Sequence, residues 1–232
     1  MDADQDLDAR GRDDRGDGRG RDDQDRDTAA DRSWRGTVGA GRALTWFLVI
    51  TGALGFIASF TLTYERFKLL TEPGYVPSCS LNPIISCGNV MTKPQAAVFG
   101  FPNPLMGIAG FAVVLAVGMG LLAGARYGRW YWAGLQLGVV FGLGLICWLI
   151  GQSLYSIGAL CPYCMVVWVI IFPMFWYVTL HNLRHRVLPF PERWRGGLND
   201  VITLHWFGPL LWYLVVGGMV LIRFWSYWKT LL

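Results

Sequence analysis

The sequence predicts an all-α integral membrane protein, and three observations carry that prediction. From residue 43 onward the chain passes through five long apolar stretches, most of them close to the roughly 20 residues a helix needs to cross a bilayer. Basic residues punctuate these stretches instead of gathering on a polar domain, which fits membrane topology better than nucleic-acid binding. The alternation of apolar and polar residues that a membrane barrel requires is missing, and open strands would leave backbone groups unsatisfied in lipid.

Two unlike compositions are joined end to end. Residues 1–35 hold twelve Asp and eight Arg, and only Met1, Leu7 and Trp34 are large and apolar. Such a segment has too little apolar surface to offset the entropy of ordering, so a disordered tail is expected there. It hides the character of the remainder: the whole chain is formally +4, while from Gly36 onward four acidic residues face twelve basic ones, leaving +8. Residues 36–232 are expected to form one five-helix transmembrane domain.

The expected spans are Ala43–Thr63, Pro104–Ala123, Trp130–Ile150, Met165–Leu180 and Phe207–Phe224. The first follows a charged leader too long for a signal peptide and lacks an A-x-A cleavage site, so it reads as a retained span. The third runs on toward Ile157 and the fourth begins at or near Cys161, which places the turn between them at a membrane surface. With the N-terminus in the cytoplasm, nine basic residues (Arg32, Arg35, Arg42, Arg126, Arg129, Arg184, Arg186, Arg193, Arg195) lie inside. Five (Arg66, Lys68, Lys93, Arg223, Lys229) lie outside, the asymmetry that sets orientation.

The loop 64–103 and the turn around Leu160 then share the outer side. Trp130, Tyr131, Trp132, Trp176, Tyr177, Trp206, Trp225 and Trp228 fall near span ends, where amphipathic rings favour the headgroup region. Gly134, Gly138 and Gly142 recur every fourth residue, a smooth stripe expected to let another helix of the chain pack closely, with a homodimer face as the alternative.

Four of five cysteines fall on the outer side. Cys161-Pro-Tyr-Cys164 is a C-x-x-C, which on a first helical turn brings two sulfurs within disulfide reach, while free N–H groups and the helix dipole favour a thiolate. Pro162 suits that turn because its missing donor would have had no acceptor. Cys79 and Cys87 form a second, wider pair. Spacing alone leaves three readings open: a redox relay between two pairs, two static cross-links, or a four-cysteine zinc site, the last disfavoured by the wide spacing and the lack of a nearby outer His. Cys147 is expected to be a buried apolar filler, and His181, His185 and His205 to be interfacial or structural.

Together these features resemble the vitamin K epoxide reductase family, particularly its bacterial homologues. The resemblance rests on Cys79 and Cys87 in the first outer loop, the run Cys87-Gly-Asn-Val-Met, Phe-Gly-Phe-Pro-Asn-Pro at 99–104, and Cys161-Pro-Tyr-Cys164 opening the fourth span, covering about Ala43 to Leu180. It implies a four-helix transmembrane bundle with a fifth transmembrane helix and an extracytoplasmic loop cap over a quinone site, with the species open and menaquinone a candidate. It also implies Cys79 as the sulfur attacked by a reduced partner, Cys87 as its mate and the attacker of Cys161, and Cys164 beside the quinone.

Asn103 matches a family asparagine that bonds a quinone oxygen; read from the residues alone it is a helix N-cap. Thr92 is the candidate for a family hydroxyl, although Lys93 follows where another hydroxyl might have aligned. Trp168, one turn beyond Cys164, faces either the pocket or lipid. No metal is expected. Some relatives carry a thioredoxin-like domain after the fifth helix; here the chain ends at Leu232, so the thiol partner is expected to be a separate, extracytoplasmic DsbA-like protein that this plasma-membrane enzyme reoxidises. A scaffold with static disulfides is the alternative. A DsbB-type protein is disfavoured because there the C-x-x-C precedes the wider pair.

Overall fold

The computed structural model describes residues 36–80, 82, 84–188, 203–225 and 229. The expected disordered tail, and with it Arg32 and Arg35, lies outside the described residues, as do Arg193, Arg195 and Trp228. Four helices are long and apolar enough to cross a membrane: α1 (Arg42–Thr71), α3 (Asn103–Leu122), α4 (Arg129–Gly151) and α5 (Pro162–Arg184). A short helix, α2 (Cys87–Met91), lies in the loop between α1 and α3. The shorter apolar helix α6 (Phe207–Arg223) has 17 residues, about 26 Å at helical rise.

Helix α1 runs 30 residues, about 45 Å, and so continues some two turns past the end expected from hydropathy. The excess carries Glu65, Arg66 and Lys68 beyond the apolar run and gives the loop a rigid post. At the other end of the bundle two short strands, β1 (Thr37–Val38) and β2 (Tyr127–Gly128), pair antiparallel and tie the start of α1 to the start of α4.

Close approach of α1 and α3 is set by small residues on both. A Cβ on Gly52 would sit 2.8 Å from the backbone N of Leu115, and one on Gly118 would sit 2.9 Å from the backbone N of Val49. With no hydrophobic driving force between helices in lipid, such backbone-to-backbone packing supplies the association. The glycine stripe singled out on α4 behaves differently, correcting the sequence reading: nothing lies within 4 Å of a Cβ built on Gly134 or Gly138, and only Ile171 at 3.4 Å approaches one on Gly142. All three glycines instead border an internal cavity.

Polar side chains join α4 to α5. Asn182, fully buried, donates to the Gln136 side chain at 3.0 Å and to the Trp132 carbonyl at 3.3 Å, and Gln136 donates to Thr179 at 2.9 Å. Trp132, expected at the headgroups, is instead fully buried, with its indole N–H on the Val38 carbonyl at 3.1 Å. The His181 ring lies between those of Trp132 and His185, tilted 41° and 47° to them with centroids 4.2 and 4.5 Å away. Cys147 is exposed on the outside of α4, not buried, and unpaired.

Chain ends of helices are satisfied from outside. Arg129 donates to the carbonyls of His185 and Arg186 at 2.8 and 2.9 Å, at the C-terminus of α5. Helix α4 passes into a π-helical turn, Gln152–Ile157, that stops at Gly158 in the left-handed region (φ 69°). Only glycine adopts that conformation without strain, which lets the chain reverse into α5 within four residues.

Replacing Gly52 by Ala is expected to destabilise the bundle by about 1–3 kcal/mol, the usual cost of overpacking. Gly138→Ala, with open space around it, should leave thermal unfolding in detergent unchanged.

Candidate functional site

Three chain segments converge at one end of the bundle. The first is the start of α5, where Cys161 is the N-cap (φ −107°, ψ 120°) and Pro162 the first helical residue. The C-x-x-C therefore occupies the first turn as its spacing predicts, and Cys161 is 1% exposed. Hydrogen bonding with the Cys164 side chain holds the Cys161 thiol below its ordinary range; the N–H groups of Cys164 and Tyr163 assist, against the upward push of burial.

The second segment is the loop after α1. Glu65, 5% exposed, accepts hydrogen bonds from the Tyr75 hydroxyl at 2.7 Å, the Ser78 hydroxyl at 2.5 Å and the Ser78 N–H at 3.4 Å. This carboxylate fixes the stretch immediately before Cys79. From sequence alone Glu65 is one of four acidic residues after Gly36; its signal is an acidic residue immediately past the first apolar span. Cys79 and Cys87 are joined in a disulfide with Cα atoms 5.6 Å apart, and they are 6% and 0% exposed.

The third segment is the turn between α4 and α5, and the loop pairs with it through backbone. Leu160 donates its N–H to the Ile84 carbonyl at 2.7 Å, and Ser86 donates its N–H to the Leu160 carbonyl at 3.0 Å, a parallel bridge between Ile85 and Leu160. Asn82 orders the approach by accepting the N–H groups of Ile84 and Ile85 at 3.0 and 2.7 Å. Ser86 then caps α2, accepting from the Asn89 N–H at 3.4 Å. Bridge and cap together deliver Cys87 to Cys161: their sulfurs are 3.3 Å apart across 74 residues of sequence. Cys87, held in the disulfide, has no proton to donate, so Cys161 is the donor in this pair.

Behind the sulfurs lies a cavity of about 520 Å³, apolar for most of its wall, that reaches Cys161 and Cys164 and runs down along α4. Of the residues expected at a ligand, Trp168 borders it, is 3% exposed, and has an indole N–H without a partner. That burial removes the lipid-contact reading. Asn103 also borders it but is the first residue of α3, with Pro102 as the cap. Its side chain accepts from the Val98 N–H at 3.0 Å and donates to the Gln95 carbonyl at 2.7 Å.

Thr92 is exposed and does not border the cavity; its hydroxyl donates to the Gly88 carbonyl at 3.0 Å. Two wall residues that sequence reading missed are Gln95, whose side-chain oxygen is buried and unpartnered, and Arg66, which donates to the Ala96 carbonyl at 2.8 Å. Asn103 and Arg66 thereby pin the single 3₁₀ turn Pro94–Ala97 from two sides. Among the described residues no group of three metal-ligating side chains occurs.

Two expectations follow from this geometry. Glu65→Gln keeps the shape but weakens the grip on Tyr75 and Ser78, so reduction of the Cys79–Cys87 bond by a small dithiol should accelerate about tenfold, the scale of a lost charge-assisted hydrogen bond; gel-shift thiol counting reads it. In fully reduced protein, maleimide alkylation of Cys161 should rise with pH around a midpoint below the ordinary thiol value of about 8.5, because the thiolate forms early, and Cys164→Ala should move that midpoint upward.

Among known proteins, the model of the vitamin K epoxide reductase family matches residues 46–179, the stretch that contains both cysteine pairs, Asn103 and Trp168. No curated protein matches the sequence. A match across more than half the chain, over four apolar helices whose disulfide-bearing loop meets a C-x-x-C, settles its kinship: the chain belongs to the vitamin K epoxide reductase family, a family of oxidoreductases.

Proposed function

We propose that the protein is a membrane thiol:quinone oxidoreductase that reoxidises an extracytoplasmic DsbA-like thiol protein and so sustains disulfide formation in exported proteins. The observation that carries this reading is the 3.3 Å separation of Cys87 and Cys161, which joins the two pairs into one route. Static cross-links would not need a disulfide sulfur in contact with a free thiol from another segment.

The chain's own steps balance as thiol exchange. A partner thiolate attacks Cys79, breaking the Cys79–Cys87 bond and releasing Cys87 as thiolate. The partner's second thiol then closes its own disulfide and frees Cys79. Cys87 attacks Cys161 of an oxidised Cys161–Cys164 pair, and Cys164 leaves as thiolate. Cys79 attacks Cys87 in turn, which restores the loop disulfide and leaves Cys161 and Cys164 reduced, the arrangement seen here.

A quinone, when bound, supplies the two-electron, two-proton acceptor for that dithiol. The cavity suits such a group: it is apolar, reaches both sulfurs of the C-x-x-C, and presents the unpartnered Trp168 N–H and Gln95 side-chain oxygen, a donor and an acceptor in otherwise apolar walls. Trp168 would hold an oxygen of the ring, and Asn103 would serve by fixing the turn that carries Gln95. Thr92, turned away from the wall, supports no such contact. In the bilayer we place the cysteine end on the extracytoplasmic side of the plasma membrane and the N-terminus in the cytoplasm, which puts Arg66, Lys68 and Lys93 outside with the thiol partner.

Purified protein given a dithiol thioredoxin-fold partner should reduce a short-chain quinone, and Cys79→Ser, Cys87→Ser, Cys161→Ser or Cys164→Ser should each abolish steady turnover. In Cys164→Ser the Cys161 thiolate can attack Cys87 of the loop disulfide and release Cys79 as thiolate, so a Cys87–Cys161 disulfide should accumulate, visible by peptide mass mapping. Quinone reduction that survives loss of Cys87 would refute the route, and its complete absence in the parent would return the protein to the scaffold reading.

A further inference from the structure

Helix α6 lies outside the family-matched residues 46–179, and its polar contacts concentrate on backbone carbonyls of α4 and α5. Pro173 has no N–H, so the carbonyl of Val169 four residues earlier loses its helical partner. The Tyr213 hydroxyl donates to that carbonyl at 3.0 Å, and the Trp212 indole N–H donates to the neighbouring Trp168 carbonyl at 3.0 Å. At the end of α4 the last π-type rung runs from the Gly158 N–H to the Ser153 carbonyl at 2.9 Å. The next carbonyl, that of the fully buried Leu154, receives Arg223 Nε at 2.8 Å. Phe224, 6% exposed, packs beside it in a cluster with Ile150, Leu154, Leu160 and Trp168.

We infer that Arg223 is a positioning residue for the redox site: by capping the π-turn of α4 from a separate helix, it fixes the turn from which Cys161 meets Cys87. A cation at a helix C-terminus satisfies a leftover carbonyl and complements the helix dipole. Without it a buried carbonyl would stand unsatisfied, and the π-turn would shift its hydrogen-bond register to find a donor. Gly158, Leu160 and Cys161 follow within seven residues of Leu154, and the backbone bridge to Ile84 and Ser86 hangs on Leu160. A sulfur contact of 3.3 Å does not survive a displacement of an ångström, and misplacement of that size slows reactions by orders of magnitude. Arg223 touches no reacting atom and acts only through the turn.

The inference rests on the proposed Cys87–Cys161 exchange, and its test separates the two. In a reduced Cys79→Ser, Cys164→Ser background, where Cys87 and Cys161 are the two thiols left of the two pairs, diamide takes their two electrons and two protons, and the rate of Cys87–Cys161 disulfide formation is followed by mass mapping with no quinone present. Arg223→Met should slow that rate about tenfold or more, Arg223→Lys should recover most of it, and Tyr213→Phe, which removes a bond at Val169 instead, should leave it unchanged. In the parent background Arg223→Met should lower kcat with dithiol partner at unchanged KM for that partner. A wild-type cross-linking rate in correctly folded Arg223→Met, or equal slowing by Tyr213→Phe, would overturn the inference. If the parent reduces no quinone while cross-linking still depends on Arg223, the positioning role stands and the quinone assignment falls. If no Cys87–Cys161 bond forms in the Cys79→Ser, Cys164→Ser parent, both fall.

Discussion

The site depends on two backbone hydrogen bonds, those that pair Ile84 and Ser86 with Leu160. Helices α1, α3, α4 and α5 could pack as they do without placing any two cysteines together, because the loop and the C-x-x-C are separate segments with no covalent tie. The single parallel bridge fastens the loop to the α4–α5 turn through backbone groups alone, a mode of attachment indifferent to side chains. Side chains then refine it: Asn82 pre-forms the approach, Ser86 starts α2, and Cys87 follows as the first residue of that helix. The 3.3 Å sulfur contact is the result of these local choices agreeing.

A second constraint runs through the whole molecule. Inside a bilayer every polar backbone group needs a partner from the protein, and this chain breaks its helices in several places. Three of these breaks are answered by a side chain from elsewhere: Arg129 at the end of α5, Tyr213 above Pro173 and Arg223 at the end of α4. The breaks themselves are useful, since the π-turn and Gly158 let α4 deliver the chain to Cys161 in so few residues. Against that background four buried polar atoms among the described residues stand without a partner, and two of them, the Trp168 N–H and the Gln95 oxygen, belong to residues of the cavity wall, where the proposed ligand would meet them; the other two, on His181 and Asn182, lie away from it.

Much of this was legible in the sequence, and the failures have physical reasons. Four spans, the turn at Leu160 and the C-x-x-C on a first helical turn followed from apolar length and cysteine spacing, signals that local chemistry determines. The stripe of Gly134, Gly138 and Gly142 was misread because small residues serve equally to admit a neighbouring helix or to hollow a cavity, and only tertiary packing decides. Trp132 was misread for a related reason: an indole satisfies its N–H at a headgroup or at a buried carbonyl with the same ease. Cys147 faces outward although it sits in an apolar run, since hydropathy does not distinguish lipid from core. From sequence Glu65 and Arg66 are legible only as charges and Gln95 not at all, because their partners lie 10 to 57 residues away.

The near-complete burial of Cys79, Cys87 and Cys161 has a consequence for leakage. A redox relay open to solvent would be drained by any diffusible thiol that happened past, and the membrane's oxidising power would be lost in idle cycling. Here no sulfur of the bonded pair is presented to a passing small molecule. Under the proposed exchange, a donor able to grip the loop and loosen it from its post would reach Cys79 far faster than a small thiol, so that access would favour a macromolecular donor before any difference in reduction potential comes into play.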